Sequence, residues 1–303
     1  MDRTIKVGFC VSYDWFLLKK SLPRIYDHAD IICLSLDKNR KSWSGSMFEF
    51  DEEGFRHFIS EIDTKKKIDI YEDDFARPGF TAMQNDNNQR NLMAKRMGQG
   101  GWHIQIDADE YFLNFKEFVK NLIEINPGPS GNEKPLNICA LFVPLIKKTK
   151  RGYLYVDFLS SMPESVPMAT NVPIYEGARR NGHFNVIVPH YVIHETWARS
   201  EQELWFKINS WGHSDQEMKE EAFRISYFNL WKALDEFNYR YIKNFHPGVP
   251  NAWPSLGFCQ GDTISEFITN FGQPKFPLSR AHMLVYNSRN IARLKSIVLK
   301  LFK

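Results

Sequence analysis

Residues 102–112 read Trp-His-Ile-Gln-Ile-Asp-Ala-Asp-Glu-Tyr-Phe, an apolar run that ends in the acidic cluster Asp107, Asp109 and Glu110. Carboxylates gathered at the end of a buried strand repel one another unless a positive charge sits among them. A hard divalent ion, Mg²⁺ or Mn²⁺, takes oxygen ligands and completes its shell with water and phosphate oxygens. A phosphorylated substrate is therefore the client this chemistry suits. Asp107 and Asp109 alternate with Ala108, so on a continuing strand both point to one face, as joint contact with one ion requires. Taken alone, an Asp-x-Asp is also what a solvated turn after a strand looks like.

The elements that would position this cluster can be read upstream. Residues 5–12 form an alternating apolar strand, followed by a helix carrying Trp15, Phe16, Leu18, Leu22, Ile25 and Tyr26. Ile31 to Leu36 form a second strand ending at Asp37. Phe55, Phe58, Ile59 and Ile62 recur at helical spacing, and Ile68 to Tyr71 form a third strand ending at Glu72-Asp73-Asp74. Asn85 to Asn88 read as a turn, and from Asn88 a helix with Leu92, Met93 and Met97 runs into the break Gly98-Gln99-Gly100-Gly101 before the acidic strand. The alternation predicts a parallel sheet with helices on both faces, and in such sheets ligands bind beyond the carboxyl ends of the strands. Ser12, Asp37, Asp73 and Asp107 would converge there. Arg90 could reach a diphosphate with its planar fork.

The Arg90-Asn91 pair, the helix, the glycine break, the strand and the Asp-x-Asp together resemble family 2-like glycosyltransferases of the nucleotide-diphospho-sugar (GT-A) fold. The resemblance covers residues 3 to about 113 well and the remainder loosely. It implies a Rossmann-type, mostly parallel sheet flanked by helices, and a metal ion, Mn²⁺ or Mg²⁺, on Asp107 and Asp109 that bridges the diphosphate of a nucleotide-sugar donor. It also implies Asp37 against the base or ribose, although a turn cap within Asp37-Lys38-Asn39 reads equally well. A late histidine often completes the metal shell in this family; His194 is the first choice and His213 the second. Arg199 and Lys207 would place positive charge near the leaving diphosphate, or else lie on a solvated helix face. Transfer with inversion needs a base on the acceptor hydroxyl, for which Glu195 and Asp215 are candidates. The family's usual Glu-Asp base motif is missing between residues 140 and 190, where Asp157, Glu164 and Glu176 are the carboxylates on offer.

The expectation is thus a metal-dependent transferase acting on a glycan or glycolipid acceptor. A sugar nucleotidyltransferase would show a glycine-rich phosphate loop after the first strand, where Ser12-Tyr13-Asp14-Trp15 has no glycine. A haloacid-dehalogenase-type phosphatase would carry its Asp-x-Asp on the first strand. An inactive glycan-binding protein of the same fold is the non-enzymatic rival. Asp109 is expected to serve function rather than stability.

At 303 residues the chain fits one large domain, divided here into a catalytic region 1–215 (nucleotide half 1–113, acceptor half 114–215) and a helical extension 216–303. Past residue 136 the pattern turns β-rich over 137–145, 152–158 and 184–194, then helical from Glu201 onward. A net charge of +3 gives no reason to expect nucleic acid. Four widely spaced cysteines, no apolar leader and no run long enough to span a bilayer predict a cytoplasmic protein. Residues 287–303 read as a basic amphipathic helix, with Ile291, Leu294, Ile297 and Leu301 on one side, which suits either packing on the parent domain with the lysines in water or peripheral contact with an anionic membrane.

Overall fold

A computed structural model describes residues 3–159, 161–210 and 218–292. Four strands, β1 (Ile5–Val11), β2 (Ile31–Asp37), β3 (Ile68–Asp73) and β4 (Trp102–Asp107), pair in parallel in the order β3-β2-β1-β4. The helices α1 (Leu18–Ile25), α2 (Glu52–Ile62) and α3 (Ala82–Met97) connect them. Beyond α4 (Phe115–Ile125), four further strands extend the sheet: β6 (Leu136–Lys148), β7 (Gly152–Asp157), β8 (Ser165–Thr170) and β10 (Ser255–Gln260). The full path is β10-β7-β6-β8-β4-β1-β2-β3, with β9 (Phe184–His194) joining β6 to the short β5 (Glu110–Phe112). The protein is therefore a mixed α/β structure with a large central sheet flanked by helices.

Every residue of β1 is buried because both of its faces are covered. Val7, Phe9 and Val11 pack in the main core with Leu18 and Leu22 of α1 and Phe55 of α2. On the opposite face Cys10 and Cys33 pack with Met93 and Met97 of α3. Gly8 lies under the same helix, where a Cβ would stand 2.8 Å from Met93 Sδ.

α3 begins earlier than the sequence pattern predicts, at a capping box formed by Thr81 and Gln84. The asparagines read as a turn are instead its first two turns, because their side chains bind neighbouring loops. Asn85 holds Trp43 O and Arg77 N, Asn88 holds Phe75 O, and Asn87 and Asn91 hold the backbone of residues 175–178. The helix ends at Gly98, in a left-handed conformation (φ 76°), and Lys6 Nζ donates to the carbonyls of Gly98 and Gln99.

Two strands depart from expectation. β8 contains Pro167, which argues against an interior strand. The structure accommodates it where the β6–β8 register shifts, between the Ile138–Ala169 and Cys139–Pro167 pairs. β10 lies in the region expected to be helical and pairs with β7, so that region contributes a strand as well as α6 (Glu221–Ala233), α7 (Ile264–Phe271) and α8 (Arg280–Tyr286). Of the expected terminal helix, residues 293–303 lie outside the described residues. At its start Asn287 caps α8 and bonds the backbone of Ile187. Among the described residues no helix is long and apolar enough to cross a membrane.

Candidate active site

The carboxyl ends of β1 and β4 open on a cavity of about 610 Å³ lined by Ser12, Tyr13, Asp14, Arg90, Asp107, Asp109, Arg179, His194 and Lys207. Its far wall comes from the extended sheet and the loops beyond it, with Phe142, Phe158, Met162, Glu164 and Trp253. The pocket thus lies where open parallel sheets place their ligands.

Asp107 and Asp109 do not continue one strand. β4 stops at Asp107, the chain turns at Ala108–Asp109, and Glu110 starts β5. The two carboxylates consequently turn to different partners. Asp107 Oδ1 accepts from Arg90 Nη2 at 2.9 Å, and its Oδ2 lies 3.6 Å from Arg179. Burial alone would raise this carboxyl, yet the two guanidiniums hold it below its ordinary range. Asp109 is 4% exposed. Its Oδ2 accepts from Lys207 Nζ at 2.7 Å and Arg199 Nη2 at 2.5 Å, with His194 Nε2 3.6 Å away. Against the cost of burial, Lys207, His194 and Arg199 hold Asp109 well below the usual value.

Residues not singled out from the sequence complete the cluster. Arg179, on the loop that α3 laces down, forms a two-pronged pair with Glu110 and donates to Gln105 O. Glu110 also accepts from Asp107 N at 3.1 Å, which ties the turn to the same carboxylate. Asp86 takes Arg90 Nε at 2.6 Å. This spacing of four is a helical pair legible in sequence once 85–88 is read as helix. Asp14, beside the first strand, meets Arg199 Nη1 at 2.9 Å; burial raises its carboxyl, the guanidinium opposing. Arg179 had no comparable signal, since only the fold brings residue 179 beside 107 and 110.

Several expected site residues are placed differently. Arg90 is 1% exposed and spends its guanidinium on Asp86, Gln105 and Asp107, so it shapes the cavity floor rather than reaching out. Asp37 borders the cavity, but its carboxylate accepts four backbone N–H groups, from Asn39, Lys41, Phe75 and Ala76, which is the turn-organising role. Asp73 bonds the Tyr71 hydroxyl and the Asp74 amide and does not line the cavity. Glu195 accepts from the Tyr111 hydroxyl at 2.6 Å and from Lys20, and it lines a second cavity of about 780 Å³ rather than the first. Glu195 follows the last residue of β9 and is held by Tyr111 and Lys20, so His194 lines the first cavity and Glu195 the second. His213 and Asp215 lie outside the described residues.

A divalent ion needs carboxylate oxygens that face open space. Asp109 Oδ2 is taken by side-chain cations and Asp107 Oδ1 by Arg90, while the Asp107 side chain, 26% exposed against 6% for Asp109, is the more open of the two. As arranged, the two aspartates do not share a seat for an ion. Compared with protein-family models and with curated proteins, the chain matches none.

Proposed function

We propose that the protein is a glycosyltransferase of GT-A type that moves a sugar from a nucleotide-diphosphate donor to an acceptor hydroxyl on a glycan or glycolipid. The observation that carries this reading is the group Arg90, Asp107 and Arg179 at the carboxyl ends of the parallel strands, open on a cavity of the size ligand sites have. The strand order β3-β2-β1-β4 followed by the antiparallel β8 supports the same reading. Departure of a nucleoside diphosphate builds negative charge that a low-dielectric pocket must meet with fixed positive charge. Resemblance assigns that task to Mn²⁺ or Mg²⁺; the ion pairs on Asp109 favour side-chain cations. The aromatic wall of Phe142, Phe158 and Trp253 suits the apolar face of an acceptor sugar. With Glu195 turned away, Glu164 on that wall is the group proposed to take the acceptor's proton.

The placement of Glu195 favours one other reading, a nucleotide-sugar or glycan-binding protein without turnover. Incubating the protein with a panel of nucleotide-diphosphate sugars, and following nucleoside diphosphate release with and without added glycan acceptors, separates the two. Release from one donor, lost in Glu164→Gln with binding retained, is the expected result. Binding without release from any donor would support the second reading, and neither binding nor release would overturn both.

A further inference from the structure

Three nitrogens converge on a single oxygen of this site: Lys207 Nζ at 2.7 Å, Arg199 Nη2 at 2.5 Å and His194 Nε2 at 3.6 Å from Asp109 Oδ2. Arg199 also meets Asp14 through Nη1 at 2.9 Å, so it has an anchor besides Asp109. Lys207 comes from the helix α5 (Glu201–Ser210), and its side chain is 12% exposed, reaching the cavity it lines. An ammonium has three donors. One is spent on Asp109, and among the described residues no other hydrogen bond engages it, so the remaining donors are offered to a second anion in the cavity that Lys207 lines. A divalent ion on that oxygen would sit at about 2.1 Å. It would then be within about 5 Å of Lys207 Nζ, a like-charge approach that a buried site penalises.

We propose that Lys207, held on Asp109 and seconded by Arg199, is the resident cation of this site and takes the place of a divalent ion against the donor's diphosphate. This inference rests on the nucleotide-sugar reading above. It makes Asp109 the anchor of a lysine rather than a metal ligand, and it gives charge neutralisation that needs no ion from solution. Lysine serves as a point charge for phosphate oxygens, so Lys207→Arg keeps the charge while changing its geometry.

Calorimetric titration of the full chain with UDP, GDP, ADP, CDP and dTDP, in excess EDTA and in excess Mn²⁺, tests this. The tightest diphosphate is expected to bind with affinities within about threefold in the two conditions. Lys207→Met is expected to weaken binding in EDTA by about tenfold or more, and Lys207→Arg to recover most of the loss. Wild-type binding that vanishes in EDTA and returns with Mn²⁺ would overturn the inference and leave the nucleotide-sugar reading standing. Undiminished binding by Lys207→Met in EDTA would overturn it as well. Failure of every diphosphate in both conditions would overturn the inference together with the reading beneath it. The wild-type comparison needs no variant, so a folding defect in Lys207→Met does not blunt the test.

Discussion

Arg179 and Glu110, 69 residues apart in the chain, meet as a two-pronged ion pair whose members are both buried, with Arg179 Nη1 2.7 Å from Glu110 Oε2. The pair fastens the loop after β8 to the turn that carries Asp107 and Asp109, adding a charged contact to the asparagine bonds that hold the same loop to α3. Removing one partner strands a buried charge, which typically costs about 3–5 kcal/mol.

Glu110→Leu alone is therefore expected to lower unfolding free energy by that amount in urea denaturation. The double variant Glu110→Leu/Arg179→Met should recover part of it, giving a coupling of about 2 kcal/mol. Additive losses would show that the two side chains do not act as a pair.

Asp109→Ala removes the shared anion of Lys207 and Arg199, leaving Arg199 with Asp14. From sequence the residue reads as one that serves function alone. Its burial beneath two cations instead predicts a loss of about 3 kcal/mol in stability along with any loss in diphosphate binding. An unfolding midpoint equal to the wild type would mean that the cations find water instead.

His190 bonds Asn121 Oδ1 through Nε2 at 2.8 Å, and burial pushes its pKa from 6.5 down to about 4. The unfolded chain then binds the proton more readily than the folded one. Stability from this residue is complete above pH 6.5 and drains away as the pH falls toward 4, by about 3 kcal/mol at most. The depressed carboxylates Asp107 and Asp109 act at lower pH, since stability from them is lost only as the pH falls below the ordinary carboxylate range. Denaturation curves collected across that interval should be flatter for His190→Gln than for wild type; parallel curves would remove His190 as the cause.

Gly101, just before β4, has φ +68°, and a Cβ there would lie 2.4 Å from the carbonyl oxygen of Thr4. Backbone cannot yield as a side-chain tip can. Gly101→Ala should cost about 2–4 kcal/mol by thermal or chemical denaturation. Gly45→Ala is the control, because its φ is also positive but nothing lies within 4 Å of the added carbon. A loss no larger than in Gly45→Ala would assign the cost to φ alone.

Local periodicity determined the first half of this protein. Apolar residues at spacings of two and of three to four specify β1 to β4, α1, α2 and the second half of α3, because a strand or helix covered on a given side writes that coverage into its own sequence, whereas the buried polar residues of α3's first turns hide its start. The same logic placed Asp107 and Asp109 at the carboxyl end of a central strand. Tertiary structure alone decided which atoms face one another there. Arg179 reaches Asp107 where α3's asparagines hold the loop at 175–178, and Lys207 reaches Asp109 because Leu204 and Ile208 pack α5 into a core with Ile146 and Trp231. Pro167 enters the sheet interior where β6 shifts register beside it, and Glu195 is held away from the cavity by Tyr111 and Lys20. Each of these depends on a partner tens of residues away, and charge pairing of that kind leaves no periodic trace along the chain.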